Sequence, residues 1–135
     1  MSASYRTPTH TNIFTAQGAN ATSTVVVPVT DFMNIQLSVK SSGNATAVLR
    51  IKGSTQQAQP TFTAAQAVAN QWDYVAFYDY ATGALTAGAT GYAFTAADRF
   101  GNLLINVDGL NWLTCEISGW AAGLVTVDMS AMTNQ

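Results

Sequence analysis

Charge is the scarcest commodity in this chain. Only 9% of its 135 residues are Asp, Glu, Lys or Arg, against about 25% in typical soluble domains. There is one histidine, His10, one cysteine, Cys115, and one glutamate, Glu116. A Ser–His–Asp or Cys–His arrangement can therefore be built only around His10, which lies in a polar stretch ill suited to holding catalytic geometry. A single cysteine excludes an internal disulfide, and its setting in LTCEIS reads as a small buried hydrophobe rather than a reactive thiol. Asp73 and Asp79 on one extended strand would stand roughly 20 Å apart, too far for either glycosidase geometry. Turn chemistry accounts for Asp98 in DRFGN and Asp108 in VDG better than a calcium loop does. The expectation is a non-enzymatic protein without a cofactor.

Positive charge is equally sparse. Arg6, Lys40, Arg50, Lys52 and Arg99 form no long run, and the net charge is -2. Such a balance argues against nucleic acid as a partner. Arg50 and Lys52 share one side of a strand and read as a solvated face. No stretch approaches the roughly 18 apolar residues that would span a bilayer, so no membrane is expected. The opening MSASYRTPTHTNIF has no basic segment followed by an apolar one, which predicts cytoplasmic synthesis without a signal peptide.

What fills the space is small and neutral: Ala, Thr, Ser, Asn, Gln and Gly, in a chain that is 48% hydrophobic. That is enough for one core, and a surface so poor in ions favours packing against other proteins. The hydrophobic residues recur with period two. Residues 33–39, MNIQLSV, alternate with Met33, Ile35, Leu37 and Val39 inward. After SSGN, Ala47, Leu49 and Ile51 share a face opposite Val48, Arg50 and Lys52, which predicts a hairpin. Pro28 in STVVVPV places that strand at an edge or at its end. Residues 54–71 break the pattern; Pro60 stops any strand, and Thr63 is placed to cap a short helical turn through AAQAVA. Asp108-Gly109 between LLINV and the strand from Leu110 predicts a second hairpin, with a bulge near Asn111 or a loop longer than two residues. Val125, Val127 and Met129 close the chain facing inward. The pattern predicts an all-β fold, a single β-sandwich or jelly roll of about 7–8 antiparallel strands over residues 23–135. Residues 1–22 read as an extended N-terminal arm that Ile13 and Phe14 dock onto the domain.

The segment 72–80, WDYVAFYDY, poses the functional question. As one strand it places Trp72, Tyr74, Tyr78 and Tyr80 on one face, with Asp73, Val75, Phe77 and Asp79 on the other. The aromatic row has three possible destinations: the chain's own core, a subunit interface, or a platform for sugar rings. Trp72, Tyr74, Tyr78, Tyr80, Ile13 and Phe14 are therefore the candidate contact residues.

The layout STVVVPVTDFMNIQLSV followed by NATAVLRIKGS, together with WDYV, NVDGLNWL and the closing GLVTV, resembles the small β-sandwich virion proteins of tailed bacteriophages. The resemblance covers roughly residues 20–130. It implies a virion structural protein, a capsid decoration (cement) protein or a head-fibre or tail-associated subunit, often homotrimeric. Its partners would be copies of itself and a major capsid protein lattice, with a glycan as the alternative at a fibre tip. Where such sequences carry an acidic turn and Trp after Gly-Ser, this chain has STQQAQPTF.

Overall fold

Alternation of apolar and polar residues produces ten strands among the described residues. The computed structural model describes residues 6–134. The strands are β1 (Arg6–Gln17), β2 (Ala21–Thr22), β3 (Val27–Pro28), β4 (Asn34–Ser54), β5 (Asp73–Tyr74), β6 (Phe77–Asp79), β7 (Ala84–Thr86), β8 (Tyr92–Thr95), β9 (Phe100–Asn106) and β10 (Trp112–Asn134). The one helical element among the described residues is a 3-10 turn, Val68–Asn70. The all-β expectation is met, but two strands dominate: β4 has 21 residues and β10 has 23.

β4 and β10 pair antiparallel from Trp112 opposite Ser54 to Ala131 opposite Ile35. The pairing is irregular only between Ser118 and Leu124, opposite Val48 to Ser42, and the same register resumes on both sides. Gly43, Asn44, Gly119 and Gly123 all have positive φ in this stretch. The conformation suits glycine and, next best, asparagine. The two backbones also approach closely, since a Cβ on Gly123 would fall on the backbone of Ala45. Matched irregularities of this kind bend a β ribbon. Here the ribbon bends over its odd-numbered face, so that Ile35, Leu37 and Val39 share one core with Ala47, Leu49 and Ile51.

SSGN is therefore a bend within one strand rather than the turn of a hairpin. Left-handed residues serve either purpose, and β10 running alongside decides the matter. Asp98 holds the outer side of the bend, its carboxylate accepting from the Asn44 N–H at 2.9 Å.

Each half of the ribbon carries its own neighbours. The 34–40 half of β4 belongs to the six-strand order β1-β10-β4-β9-β6-β7. The other half is flanked by β5 and β8, and the facing part of β10 by β2 and β3. Pro28 does sit in a short edge strand. The result is sandwich-like, with Phe77, Tyr92 and Phe94 filling the core between the halves.

Four further expectations change. The stretch read as an arm is, from Arg6 to Gln17, edge strand β1 paired with β10; residues 1–5 lie outside the described part. Met33 is 63% exposed rather than inward. Asp108-Gly109 does not close a hairpin, because β4 lies between β9 and β10. The connection instead ties together the two ends of the bent β4: Val107 N–H donates to Met33 C=O at 2.9 Å, and Asn111 N–H to Ser54 C=O at 2.8 Å. The 54–71 loop contains the single turn Val68–Asn70, with Ala67 rather than Thr63 at its start.

Candidate functional site

The aromatic run is not one strand. Val75 N–H still bonds Ile51 C=O at 2.9 Å, and the chain then leaves β4 and joins β9 from Tyr78 onward. The break at Val75–Ala76 divides the aromatic row between the two halves of the sandwich. Phe77 and Asp79 point inward and are buried. Trp72 and Tyr74 lie over the β4–β10 ribbon, whereas Tyr78 and Tyr80 lie on the outer face of the six-strand sheet. Each pair stacks edge to face, with ring centroids 5.1 Å and 5.5 Å apart respectively.

The Trp72 half is covered by the 55–72 loop, and beneath that loop lies a charged cluster. Lys52, read from the sequence as solvated, is only 2% exposed. Its ammonium has three donors and three acceptors to meet them: Glu116 at 2.9 Å, Thr22 Oγ1 at 2.8 Å and Phe62 C=O at 2.9 Å. It also stands 4.1 Å from the centre of the Trp72 ring, within cation–π range. Glu116 accepts from the Tyr74 hydroxyl at 3.1 Å and lies 3.6 Å from Arg50. Arg50 is held in turn by Ala89 C=O and Ser118 Oγ, at 2.7 and 2.8 Å. Burial, and next the Glu116 carboxylate, push the Tyr74 phenol above its ordinary pKa. Trp72 is 6% exposed and its indole N–H donates to Ala64 C=O at 3.2 Å. This half of the row is thus bound into the chain's own structure.

The other half is open. Cross-strand register aligns Leu85, Tyr78, Leu104, Gln36, Ser130 and His10 in one row across the six-strand sheet. Beside it, Asn102, Ser38, Asp128 and Asn12 form a second row, and Tyr80 N–H donates to Asn102 C=O at 3.2 Å at its end. Tyr78 is 37% and Tyr80 49% exposed. The face grades from apolar at β6, β7 and β9 to polar at β1.

Where the aromatic run breaks, the two environments meet in a groove of about 1140 Å³. One wall is the 54–72 loop with Trp72 and Tyr74; the other is Tyr78, Leu85, Leu104 and Asn106; Asp108 and Leu110 close an end. Of the six candidate contact residues, the groove brings together Trp72, Tyr74 and Tyr78. Tyr80 is not in its lining, and Ile13 and Phe14 are buried in the chain's own core. Cys115 is also buried, and burial pushes its thiol up to about 12. Asp73 and Asp79 serve local geometry. Asp73 accepts from the Gln66 amide and the Tyr74 N–H, and Asp79 from the Ala81 N–H.

Sequence reasoning missed Glu116 and the groove amides. A signal for Glu116 was present, since the chain's one glutamate has the same outward parity in its strand as Arg50 and Lys52 in theirs. No such signal marks Asn34, Gln56 and Gln71, which converge only through the fold.

No helix among the described residues is long and apolar enough to cross a membrane. No protein-family model and no curated protein matches the chain. Among solved structures, the SPBc2 prophage-derived protein YomS is similar in fold, with a TM-score of 0.73 at 10% identity over 98% of this chain and 99% of that one. The PBSX exported protein XepA is similar with a TM-score of 0.64 at 13% identity, over 95% of this chain but 38% of that one. The bent two-strand ribbon and its flanking strands are thus a fold shared from end to end with a prophage-derived protein.

Proposed function

We propose that this chain is a non-enzymatic structural protein of a tailed-phage particle, made in the host cytoplasm and incorporated into the virion as a decoration (cement) protein of the head. The observation that carries the reading is the end-to-end likeness in fold to a prophage-derived protein, 98% of this chain against 99% of that one. The open face of the six-strand sheet supports it physically. Tyr80 and Phe100 are exposed there, and the polar residues beside them are mostly uncharged. Such a face loses little ion hydration on contact, and repetition over a lattice multiplies weak contacts. Self-association, as a homotrimer, and docking on a major capsid protein lattice follow from the same reading.

Native mass spectrometry of the full chain, with immuno-electron microscopy of particles from producing cells, tests this. The expected results are a trimer and labelled heads. The paired substitution Tyr80→Asp with Phe100→Asp should release monomers while the far-ultraviolet circular dichroism stays unchanged. A wild-type monomer at tens of micromolar, together with unlabelled particles, would refute the proposal.

A further inference from the structure

We infer that the groove at the break in the aromatic run binds a neutral oligosaccharide, a function beyond assembly. Three properties of its lining select that class. First, its lining contains Asp73 and Asp108 but no Lys, Arg or His, so phosphorylated, sulfated and sialylated ligands meet charge of their own sign. Second, the lining presents hydrogen-bonding groups that are not already engaged, the neutral amides of Asn34, Gln56 and Gln71 and the carboxylate of Asp108. Among the described residues, no hydrogen bond occupies the side chains of Asn34, Gln56, Gln71 or Asp108. Asp108 contributes its backbone N–H, Gln56 its backbone N–H and carbonyl, and Gln71 its carbonyl. Side-chain amides both donate and accept, which matches vicinal hydroxyls. Third, Tyr78 and the opposing Leu85, 37% and 73% exposed, supply an apolar patch beside those amides. The C–H face of a pyranose suits such a patch.

The backbone supports a formed site. Gln71 adopts φ 59, unusual for a residue other than glycine. Its carbonyl is fixed there by the Ser54 hydroxyl at 2.7 Å. The groove volume of about 1140 Å³ exceeds the roughly 300–1,000 Å³ that holds a drug-sized molecule, which favours several sugar rings over one. Trp72 is not the stacking platform, because its ring is already engaged by Lys52 and Tyr74.

The test uses the full chain on an array of neutral, sialylated and sulfated oligosaccharides, followed by calorimetric titration of the strongest neutral glycan. Binding should be confined to neutral glycans. Tyr78→Ala should weaken it about tenfold or more, as loss of an aromatic anchor does, and Asp108→Ala should weaken it too. Leu85→Ser, at a largely exposed position, should reduce affinity without changing the urea midpoint, which guards against misfolding of the tyrosine variant. An array without neutral hits, or a preference for anionic glycans, would overturn the proposal. So would undiminished binding by both Tyr78→Ala and Leu85→Ser. An empty array beside intact self-association would leave the structural role standing and assign the groove to a protein segment instead.

Discussion

Removing Glu116 should cost far more stability than its partial exposure to water suggests. Lys52 is 2% exposed and Glu116 is its only carboxylate partner among the described residues. In Glu116→Ala the ammonium keeps Thr22 and Phe62 C=O but loses its counter-charge, with Arg50 still nearby. Breaking a buried pair from one side in this way costs about 3–5 kcal/mol. The Tyr74 hydroxyl also loses its acceptor. Lys52→Met is milder. The Glu116 side chain is 16% exposed, so water reaches it, and it keeps Arg50 and Tyr74. The main loss is the donor to Phe62 C=O, for a total of about 1–3 kcal/mol. The double variant Lys52→Met with Glu116→Ala removes both charges and should cost less than the two single changes added together, with a coupling of about 1–2 kcal/mol. Urea titration followed by tryptophan fluorescence is the assay, since Trp72 sits against the Lys52 ammonium. Each kcal/mol corresponds to roughly 3–5 °C in Tm for a domain of this size. A cost below about 1 kcal/mol for Glu116→Ala, or a larger one for Lys52→Met, would refute the argument from unequal burial.

Two other outcomes follow from single positions. Burial pushes the Cys115 thiol from 9.0 up to about 12, and Tyr74 and Tyr92 are also raised, chiefly by burial. The folded chain therefore keeps protons that the unfolded chain releases. Stability should be steady below about pH 9 and fall above it, by at most about 1.4 kcal/mol per pH unit per group. Cys115→Ala should move the onset toward pH 10, where the tyrosines titrate; urea midpoints between pH 8 and 11 would reveal an unmoved onset. At the bend, Gly123→Ala combines φ +80 with overlap on the Ala45 backbone, whereas a Cβ on Gly119, φ +58, meets nothing within 4 Å. The first change should cost at least about 3 kcal/mol and the second about 1 kcal/mol; equal thermal shifts would contradict the close approach of the two strands.

Period-two alternation was enough to find the core. Ile35, Leu37, Val39, Ala47, Leu49, Ile51, Cys115, Val125, Val127 and Met129 are all inward and buried as expected. What alternation does not carry is which strand lies beside which. SSGN and Asp108-Gly109 have turn chemistry, yet their local conformations serve equally in a bend and in a connection between sheet ends. Partners distant in sequence choose between those uses. The same holds for the candidate site. WDYVAFYDY shows an aromatic row at period two, but its division at Val75–Ala76 arises because β4 offers pairing only as far as Ile51 and β9 takes over from Tyr78. Lys52 looked solvated because its cover, Phe62 and Trp72, comes from a loop whose own sequence carries no regular pattern.

The long central ribbon also governs how the polypeptide matures. Residues 35–54 find their principal partner 58 (112 − 54) to 96 (131 − 35) positions downstream, at 112–131, and such distant pairings slow folding into the millisecond-to-second range. Until residue 112 onward has left the ribosome, the greasy odd-numbered side of β4 has no mate along one flank. Nascent chains are then at their stickiest. Few charges are present to keep neighbours apart, so soluble yield should depend on expression rate and temperature more steeply than on the stability of the finished fold.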